Sequence, residues 1–276
     1  MYGAIIGDII GSPFEFDTGE RTKDFQLLSP ESQFTDDTVM TIAVADALLN
    51  TYGKRESKIK EALVESMRRW ALKYPHAGYG LSFCNFLFQN PVPYNSYGNG
   101  SAMRVSSVGW MFPLTDVRSL DNTSELARIT AEVSHNHPEG VKGAMATADA
   151  IFLARLGIDK SEIISYTETK YGYDLSRTCA DIRETNIHIE TCQASIPIAF
   201  AAFYESSSFE DTIRNAVSMG GDCDTNACIA GSIAEAYYEN KPGAVRAVLK
   251  SACLDRLPDD IRLVLDRFDE FRRNMR

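Results

Sequence analysis

The chain has 276 residues, of which 44% are hydrophobic and 24% charged, with a formal net charge of −10 and a pI near 5.0. The apolar fraction is enough for a folded core, and because no low-complexity segment divides the sequence, we expect a single domain over residues 1–276. The acidic balance argues against nucleic-acid binding, since phosphate contacts need clustered Lys and Arg.

Hydrophobic residues recur at three- and four-residue spacing along most of the chain, which predicts amphipathic helices. The runs 38–49 and 226–238 differ, because they are apolar or small almost all round. That pattern predicts two central, buried helices. In chain order, the predicted helices cover about 38–49, 55–72, 123–133, 138–155, 209–218, 226–238, 243–250 and 261–271.

Evidence for β-strands is scarce. The alternation at 187–189 is the best case, and it is very short. The main non-helical segments cover about 12–34, 89–100 and 168–176 and are rich in Gly, Pro, Asn, Ser or Tyr. We therefore expect an all-α fold class, with about a dozen helices and long loops that build the functional site.

The sequence also bears on location. No stretch of about 18 consecutive apolar residues occurs, so we expect no membrane span. The N-terminal residues lack the basic region and long apolar stretch of a signal peptide. The six cysteines make no Cys-x-x-Cys pair and are expected to be reduced thiols. We expect a cytoplasmic protein and, as the default, a monomer.

Two acidic motifs precede the two predicted central helices. Aligned on a shared Asp-Thr, the segments at 37–43 and 224–230 both read D-T-x-x-x-I-A, with a further carboxylate just upstream in Asp36 and Asp222. Capping of each helix start by Thr35, Asp36 or Asp222 is one explanation. Capping needs only one acid per helix, however, and four carboxylates beside buried helices repel one another unless cations lie between them.

Ligands of this kind favour particular ions. Asp carboxylates and Thr hydroxyls offer only oxygen, which suits Mg²⁺, Mn²⁺ or Ca²⁺ better than Zn²⁺. If the two motifs converge in the fold, they form a site for two metal ions. A calcium-stabilised protein is an alternative, although neither segment has the spacing of an EF-hand loop.

Three further segments contain candidate functional residues. Glu15 lies between two phenylalanines, and a surface acid in a turn is the simpler interpretation. The Gly-rich segment 97–104 precedes a predicted helix and is typical either of an anion-binding loop or of an ordinary turn. His135 and His137 precede the helix predicted at 138–155, where histidines are commonly polar groups of the helix entry.

Taken together and in order, the segments GDIIGSPFEF, FTDDT, GNGSAMR, SHNHPEG and GGDCDTNACIAG resemble the ADP-ribosylglycohydrolase family. The resemblance runs from about residue 3 to 240. It implies an all-α fold of that family's type, with a binuclear centre of two Mg²⁺ or Mn²⁺ ions. The metal ligands that it implies are Thr35, Asp36, Asp37, Asp222, Asp224 and Thr225.

The resemblance also implies the remaining site residues. Glu15 matches a mobile glutamate of the family, and Glu15, Asp36 and Asp224 are the candidates for proton transfer in catalysis. The residues that match substrate-binding positions are Gly98, Asn99, Gly100, Ser101, Met103 and His135. The segment His137–Glu139 departs from the serine-specific members of the family, which leaves the acceptor open.

The implied function is metal-dependent hydrolysis of the bond between ADP-ribose and its acceptor, which reverses ADP-ribosylation. The substrate would be an ADP-ribosylated protein, with arginine as the favoured acceptor, or a small-molecule ADP-ribose conjugate. Hydrolysis of ADP-ribosyl-serine or O-acetyl-ADP-ribose is an alternative. Cleavage at the anomeric carbon passes through an oxocarbenium-like state, and a divalent ion supplies Lewis-acid chemistry.

Two rival functions belong to other classes. A non-catalytic ADP-ribose-binding or structural homologue would bind nucleotide without turnover. A haloacid dehalogenase-like phosphatase is suggested by the D-x-D at 222–224, but that motif should follow an apolar strand and carry Thr or Val where this chain has Asn226.

Overall fold

The structure is a computed structural model that describes residues 1–17, 20–116 and 118–275. Within these ranges it contains fourteen α-helices and no β-strand, which confirms the all-α prediction. Short 3₁₀ segments cover Ser12–Asp17 and Val108–Trp110. The helices are α1 Tyr2–Gly11, α2 Asp36–Thr51, α3 Glu56–Lys73, α4 Leu81–Phe88, α5 Gly100–Met103, α6 Ser119–Glu132, α7 Pro138–Arg155, α8 Lys160–Tyr171, α9 Cys179–Thr185, α10 Cys192–Tyr204, α11 Phe209–Ser218, α12 Cys223–Tyr238, α13 Ala247–Leu254 and α14 Asp259–Asn274.

Most predicted helices form where the hydrophobic period places them, and three predicted ranges are displaced by about four residues at one or both ends. The helix predicted at 123–133 covers Ser119–Glu132. The helix predicted at 243–250 covers Ala247–Leu254, because Gly243 adopts a φ of 91° and Arg246 is extended. The loop predicted at 168–176 begins only after Tyr171, where Gly172 ends α8 in the left-handed conformation. Of the loop predicted at 12–34, residues 18–19 lie outside the described residues. The alternation at 187–189 forms no strand.

The two helices predicted to be central are buried. From Asp37 to Leu48, every residue of α2 is buried, and in α12 only Glu235 and Tyr237 are partly exposed. Their apolar side chains belong to one contiguous core. Because a helix buried all round cannot leave polar groups unpaired cheaply, its acidic N-terminus needs specific partners. In the part of the chain described here, no helix is long and apolar enough to cross a membrane.

Helix α1 packs against α12 at unusually short range. A Cβ atom on Gly7 would lie 2.1 Å from the carbonyl oxygen of Ala227, and one on Gly3 would lie 2.2 Å from that of Gly231. Glycine at four-residue spacing therefore gives α1 a face without side chains, and the two backbones touch along it. This contact brings the C-terminal end of α1 beside the N-terminus of α12.

We expect Gly7→Ala to lower the free energy of unfolding by about 1–3 kcal/mol or more, because the added methyl group has no space between the two backbones. Urea unfolding followed by circular dichroism measures the change. Gly80→Ala is the matched control, since Gly80 has a φ of −60° and its added Cβ would meet nothing within 4 Å. A Gly7→Ala protein as stable as Gly80→Ala would contradict the close helix contact.

Candidate active site

The Asp8 carboxylate of α1 holds the N-terminus of α2. One of its oxygens accepts a hydrogen bond from the Thr35 hydroxyl at 2.8 Å, and the other accepts the backbone N–H groups of Thr35 and Thr38 at 3.0 Å each. The Thr38 hydroxyl donates to the same carboxylate. Asp8 is fully buried. It therefore fixes the position of Asp36 and Asp37 relative to α1.

The two Asp-Thr motifs meet at the Asp37 carboxylate. Its Oδ2 accepts a hydrogen bond from the Thr225 hydroxyl at 3.1 Å and lies 3.5 Å from the Thr35 hydroxyl oxygen. Its Oδ1 is buried and accepts no hydrogen bond from the described residues. The hydroxyl groups of Thr35 and Thr225, which are 190 positions apart in the sequence (225 − 35), therefore both lie next to Asp37 Oδ2.

Five carboxylates form two overlapping groups. Oxygens of Asp8, Asp37 and Asp224 lie within 4.8 Å of one another, and so do those of Glu15, Asp222 and Asp224. The two groups share Asp224. Each could hold a metal ion.

Gly11 is what lets the end of α1 approach the second group. A Cβ on this residue would lie 2.5 Å from the Cα of Asp224. The helix contact described above therefore continues to the carboxylates, and the geometry of the site depends on it.

The carboxylates raise one another's pKa. Burial, with the charges of Asp8 and Asp36, holds the pKa of Asp37 well above its ordinary value, and burial with the charge of Asp37 does the same for Asp224. Burial raises the pKa of Asp8 to about 6, and burial with the charge of Asp222 raises that of Glu15 to about 7. Without a cation, the ionised cluster is unfavourable.

The cluster fits a hard divalent cation. Its donors are all oxygens, and the unpartnered Oδ1 of Asp37 is the kind of buried acceptor that a cation satisfies. Among the described residues, no Lys or Arg forms an ion pair with Asp37, Asp222 or Asp224. Lysine and arginine side chains of the described residues therefore do not neutralise these three carboxylates, and the positive contribution that acts on Asp222 and Glu15 comes from His188, whose charge lowers the pKa of both.

The Gly-rich loop before α5 is tied to the carboxylates through Asn99. The Asn99 amide nitrogen donates to Asp222 Oδ2 at 2.6 Å and to the Ser195 hydroxyl at 2.8 Å. Its backbone N–H donates to Glu190, and that of Gly98 donates to the Ser96 hydroxyl. Asn99 therefore acts within the protein as a positioning residue for Asp222.

Most of the predicted site residues line one cavity of about 550 Å³. A larger and more open groove of about 990 Å³ runs along α3, but none of the clustered carboxylates lines it. Ser101 does not line the smaller cavity, because its hydroxyl is fully buried and donates to the carbonyl oxygen of Gly140 at 2.6 Å. Thr35 does not line this cavity either, and its hydroxyl contacts Asp8 and Asp37. The predicted residues that line the cavity are Glu15, Asp36, Asp37, Gly98, Asn99, Gly100, Met103, His135, Asp222, Asp224 and Thr225.

The segment after α1 places Glu15 at the cavity. Glu15 has an extended backbone, and the next residue, Phe16, adopts a φ of 61°, which non-glycine residues rarely do. The Phe16 ring is largely exposed and stacks on the ring of His188 at 4.9 Å between centroids. The strained turn therefore aims the Glu15 carboxylate towards Asp222 and Asp224.

Sequence reasoning missed two residues of the site. Asp8 belongs to one of the carboxylate groups and holds the start of α2, but it lies inside an apolar helix, and its only signal is that it is a charged residue in an otherwise uncharged run. Arg104 lines the cavity and ends the Gly-rich segment, in which the sequence pattern indicates backbone N–H groups and not a side chain. In both cases the three-dimensional neighbours, and not the local pattern, reveal the role.

Comparison with known proteins agrees with this architecture. The family model for ADP-ribosylglycohydrolase matches residues 1–273. ADP-ribosylhydrolase ARH3 of Homo sapiens is 26% identical over 320 aligned positions, covering 86% of this chain and 84% of that protein. The uncharacterized protein YegU of Escherichia coli is 32% identical over 193 positions, covering 59% of this chain and 55% of that protein.

Among solved structures, an "ADP-ribosylglycohydrolase-related protein complex" matches with a TM-score of 0.69 at 22% identity, covering 98% of this chain and 95% of that one. This similarity shows that the fold is shared. Fold, site and family model together define a helical glycosyl hydrolase. The chain belongs to the ADP-ribosylglycohydrolase family, which confirms the resemblance drawn from the sequence.

We expect Asp37→Asn to stabilise the metal-free protein increasingly as the pH rises from 5 to 8. Because the folded-state pKa of Asp37 lies above its unfolded value, the stability that its protonated form contributes is present at low pH and is lost as the pH rises through the folded pKa. The asparagine cannot ionise, so the difference at pH 8 should be on the order of 1–3 kcal/mol. Urea unfolding in excess EDTA measures it.

Asp259→Asn is the control for this series, because Asp259 is an exposed acid in the first turn of α14. It should show no comparable pH-dependent gain. Equal pH profiles for wild-type protein and Asp37→Asn would contradict mutual repulsion in the cluster.

Proposed function

We propose that this protein hydrolyses the glycosidic bond between ADP-ribose and an acceptor, using two divalent cations, Mg²⁺ or Mn²⁺, held by the carboxylate cluster. The observation that supports this most strongly is the convergence of Asp37 and Thr225 from the two Asp-Thr motifs in the wall of one cavity. Membership of the ADP-ribosylglycohydrolase family, whose members are glycosyl hydrolases, supports this class of reaction.

The residues that would hold the ions are Asp36, Asp37, Asp222, Asp224 and the hydroxyls of Thr35 and Thr225, with Asp8 behind them. When bound, the ions neutralise the carboxylates and act as Lewis acids that lower the pKa of water. Asp8 holds Thr35 and Asn99 holds Asp222, so both motifs are positioned before any ligand binds.

Glu15 is the strongest candidate for proton transfer among the three predicted catalytic acids. Its pKa is raised to about 7 by burial and by the charge of Asp222, which places it close to neutral pH. It is also partly exposed to the cavity, whereas Asp224 is buried. A glutamate in this position can remove a proton from the attacking water or deliver one to the departing acceptor.

The Gly-rich loop explains how an acidic protein could bind an anionic substrate. The backbone N–H groups of Gly98 and Asn99 already have acceptors in the protein. Those of Gly100 and Ser101 have no acceptor among the described residues. We propose that the N–H group of Gly100, which lines the cavity, contacts the pyrophosphate. Ser101 is fully buried and would support the loop through its hydrogen bond to Gly140.

Arginine remains the favoured acceptor. The cavity is lined by Glu15, Asp36 and Glu190, three acidic residues that are at least partly exposed and whose negative charges would favour a cationic guanidinium group. Hydrolysis of ADP-ribosyl-serine or O-acetyl-ADP-ribose stays the alternative, and similarity to ADP-ribosylhydrolase ARH3 supports hydrolysis of an ADP-ribose conjugate with any of these acceptors. A monomeric state and a cytoplasmic location stay predictions from the sequence.

The proposal is tested by offering the purified enzyme an ADP-ribosyl-arginine peptide, an ADP-ribosyl-serine peptide and O-acetyl-ADP-ribose, with Mg²⁺ or Mn²⁺. We expect release of free ADP-ribose from at least one of them, and loss of that activity in excess EDTA. Asp222→Ala and Asp36→Ala should reduce kcat by about 100-fold or more, since they remove groups that hold the ions. Chromatography of the released ADP-ribose measures the rate.

Asp259→Ala is the control, because it removes the same charge from an exposed position and should retain full activity. Cleavage of the serine peptide or O-acetyl-ADP-ribose alone would reassign the acceptor. ADP-ribose binding by calorimetry without turnover of any substrate would favour the non-catalytic homologue. Activity that persists in EDTA, or undiminished in Asp222→Ala, would refute the metal-dependent reaction.

A further inference from the structure

Arg104 is a buried cation without an acidic partner. Its side chain is 0% exposed, and no carboxylate of the described residues forms an ion pair with it. Its Nη2 donates to the carbonyl oxygen of Thr130 at 3.1 Å and to the Ser134 hydroxyl at 2.9 Å, whereas Nε and Nη1 make no hydrogen bond with the described residues. The guanidinium also lies over the Phe83 ring, at 5.6 Å from its centroid. Such an arrangement is unfavourable for stability alone.

The Ser134 hydroxyl connects this cation to His135. Its oxygen accepts from Arg104 and lies 2.8 Å from His135 Nδ1. A serine hydroxyl has one proton to donate, and no other acceptor for it is found among the described residues. If Nδ1 carried a proton, the buried Ser134 hydroxyl would be left without an acceptor, which costs free energy. The favoured arrangement therefore has the Ser134 proton directed at an unprotonated Nδ1.

The other ring nitrogen of His135 faces the cavity. Its Nε2 makes no hydrogen bond within the described part of the chain, and His135 lines the 550 Å³ cavity. A Cβ added to Gly100 would lie 3.1 Å from this nitrogen, so it sits directly against the Gly-rich loop. Edge contacts with the rings of Phe83 and Tyr94 fix the plane of the imidazole.

The charge state of the imidazole agrees with this geometry. Burial and the positive charge of Arg104 hold the pKa of His135 well below its ordinary value. A neutral histidine with an unprotonated Nδ1 must carry its proton on Nε2. That N–H points into the cavity as a hydrogen-bond donor.

We propose that Arg104 and Ser134 are positioning residues that hold His135 in the neutral Nε2–H tautomer, so that Nε2 donates a hydrogen bond to an acceptor oxygen of the bound substrate. The nature of the substrate, an ADP-ribose conjugate, rests on the proposed function; the tautomer does not. In this arrangement His135 binds and orients the substrate and takes no part in proton transfer, which leaves that role to the carboxylates.

The direct test is nuclear magnetic resonance of the free protein labelled with ¹⁵N-histidine. Long-range ¹H–¹⁵N correlations distinguish the two neutral tautomers and the imidazolium form. The chain has four histidines, His76, His135, His137 and His188, and the signals lost in His135→Gln assign His135. We expect the Nε2–H tautomer from pH 6 to 8. The Nδ1–H tautomer or an imidazolium at His135 would overturn the proposal.

Variants test whether Ser134 sets the tautomer of His135 and whether that tautomer contributes to substrate binding. Ser134→Ala should give a mixture of tautomers and weaken ADP-ribose binding by about 2- to 10-fold, the range expected for one hydrogen bond. Ser106→Ala is the matched control, since Ser106 is equally buried and its hydroxyl makes no hydrogen bond with any residue that the structure describes. A Ser134→Ala protein that keeps the pure Nε2–H tautomer would refute the role of Ser134.

Substitutions of His135 itself distinguish a role as hydrogen-bond donor from a role as general acid or base. Glutamine places an amide N–H near the position of Nε2, and asparagine places one near Nδ1. We expect His135→Gln to bind ADP-ribose more tightly than His135→Asn, and to keep the pH profile of kcat. Equal binding by the two variants, or loss of one limb of the profile in His135→Gln, would contradict the donor role. If wild-type protein fails to bind ADP-ribose, the proposed substrate is wrong, while the tautomer measurement still stands.

Discussion

The close contact of α1 and α12 is the constraint on which the site depends. Gly7 and Gly11 lack the side chains that would separate the two helices, and the backbones touch from the start of α1 to its end. Helix α1 contributes Asp8 and leads directly to Glu15, while the N-terminus of α12 contributes Asp224. The glycines of α1 thus set the distance between the two backbones, and the distance between the carboxylates follows from it.

The same arrangement concentrates negative charge in the core. Burial and mutual repulsion raise the pKa of Asp37 and Asp224, so the ionised cluster destabilises the fold unless something positive binds there. Hydrogen bonds from Thr225 and Asn99 orient individual oxygens but supply no charge. The carboxylates are therefore well suited to bind cations. Their oxygens are already oriented by hydrogen bonds, and a bound cation would remove the repulsion between their charges.

Much of the fold and part of the site could be predicted from the sequence, for different reasons. The spacing of hydrophobic residues predicted both ends of α7 correctly, because the buried face of a helix is visible in its own local sequence. The repeated Asp-Thr identified Asp37 and Asp224, because acids in front of apolar helices are locally conspicuous. Asp8 and Arg104 could not be identified, since their roles depend on groups distant in sequence, namely the N-terminus of α2 and the Ser134 hydroxyl. Local sequence patterns predict secondary structure, whereas contacts between residues that are distant in sequence become visible only in the packed structure.

A crystal structure of the protein grown with Mn²⁺, with anomalous scattering recorded at the manganese edge, would show directly whether the carboxylate cluster holds two divalent ions. We expect two anomalous peaks among the carboxylates of Asp37, Asp222 and Asp224, on the cavity side of α12. A well-diffracting crystal without an anomalous peak between the starts of α2 and α12 would contradict it.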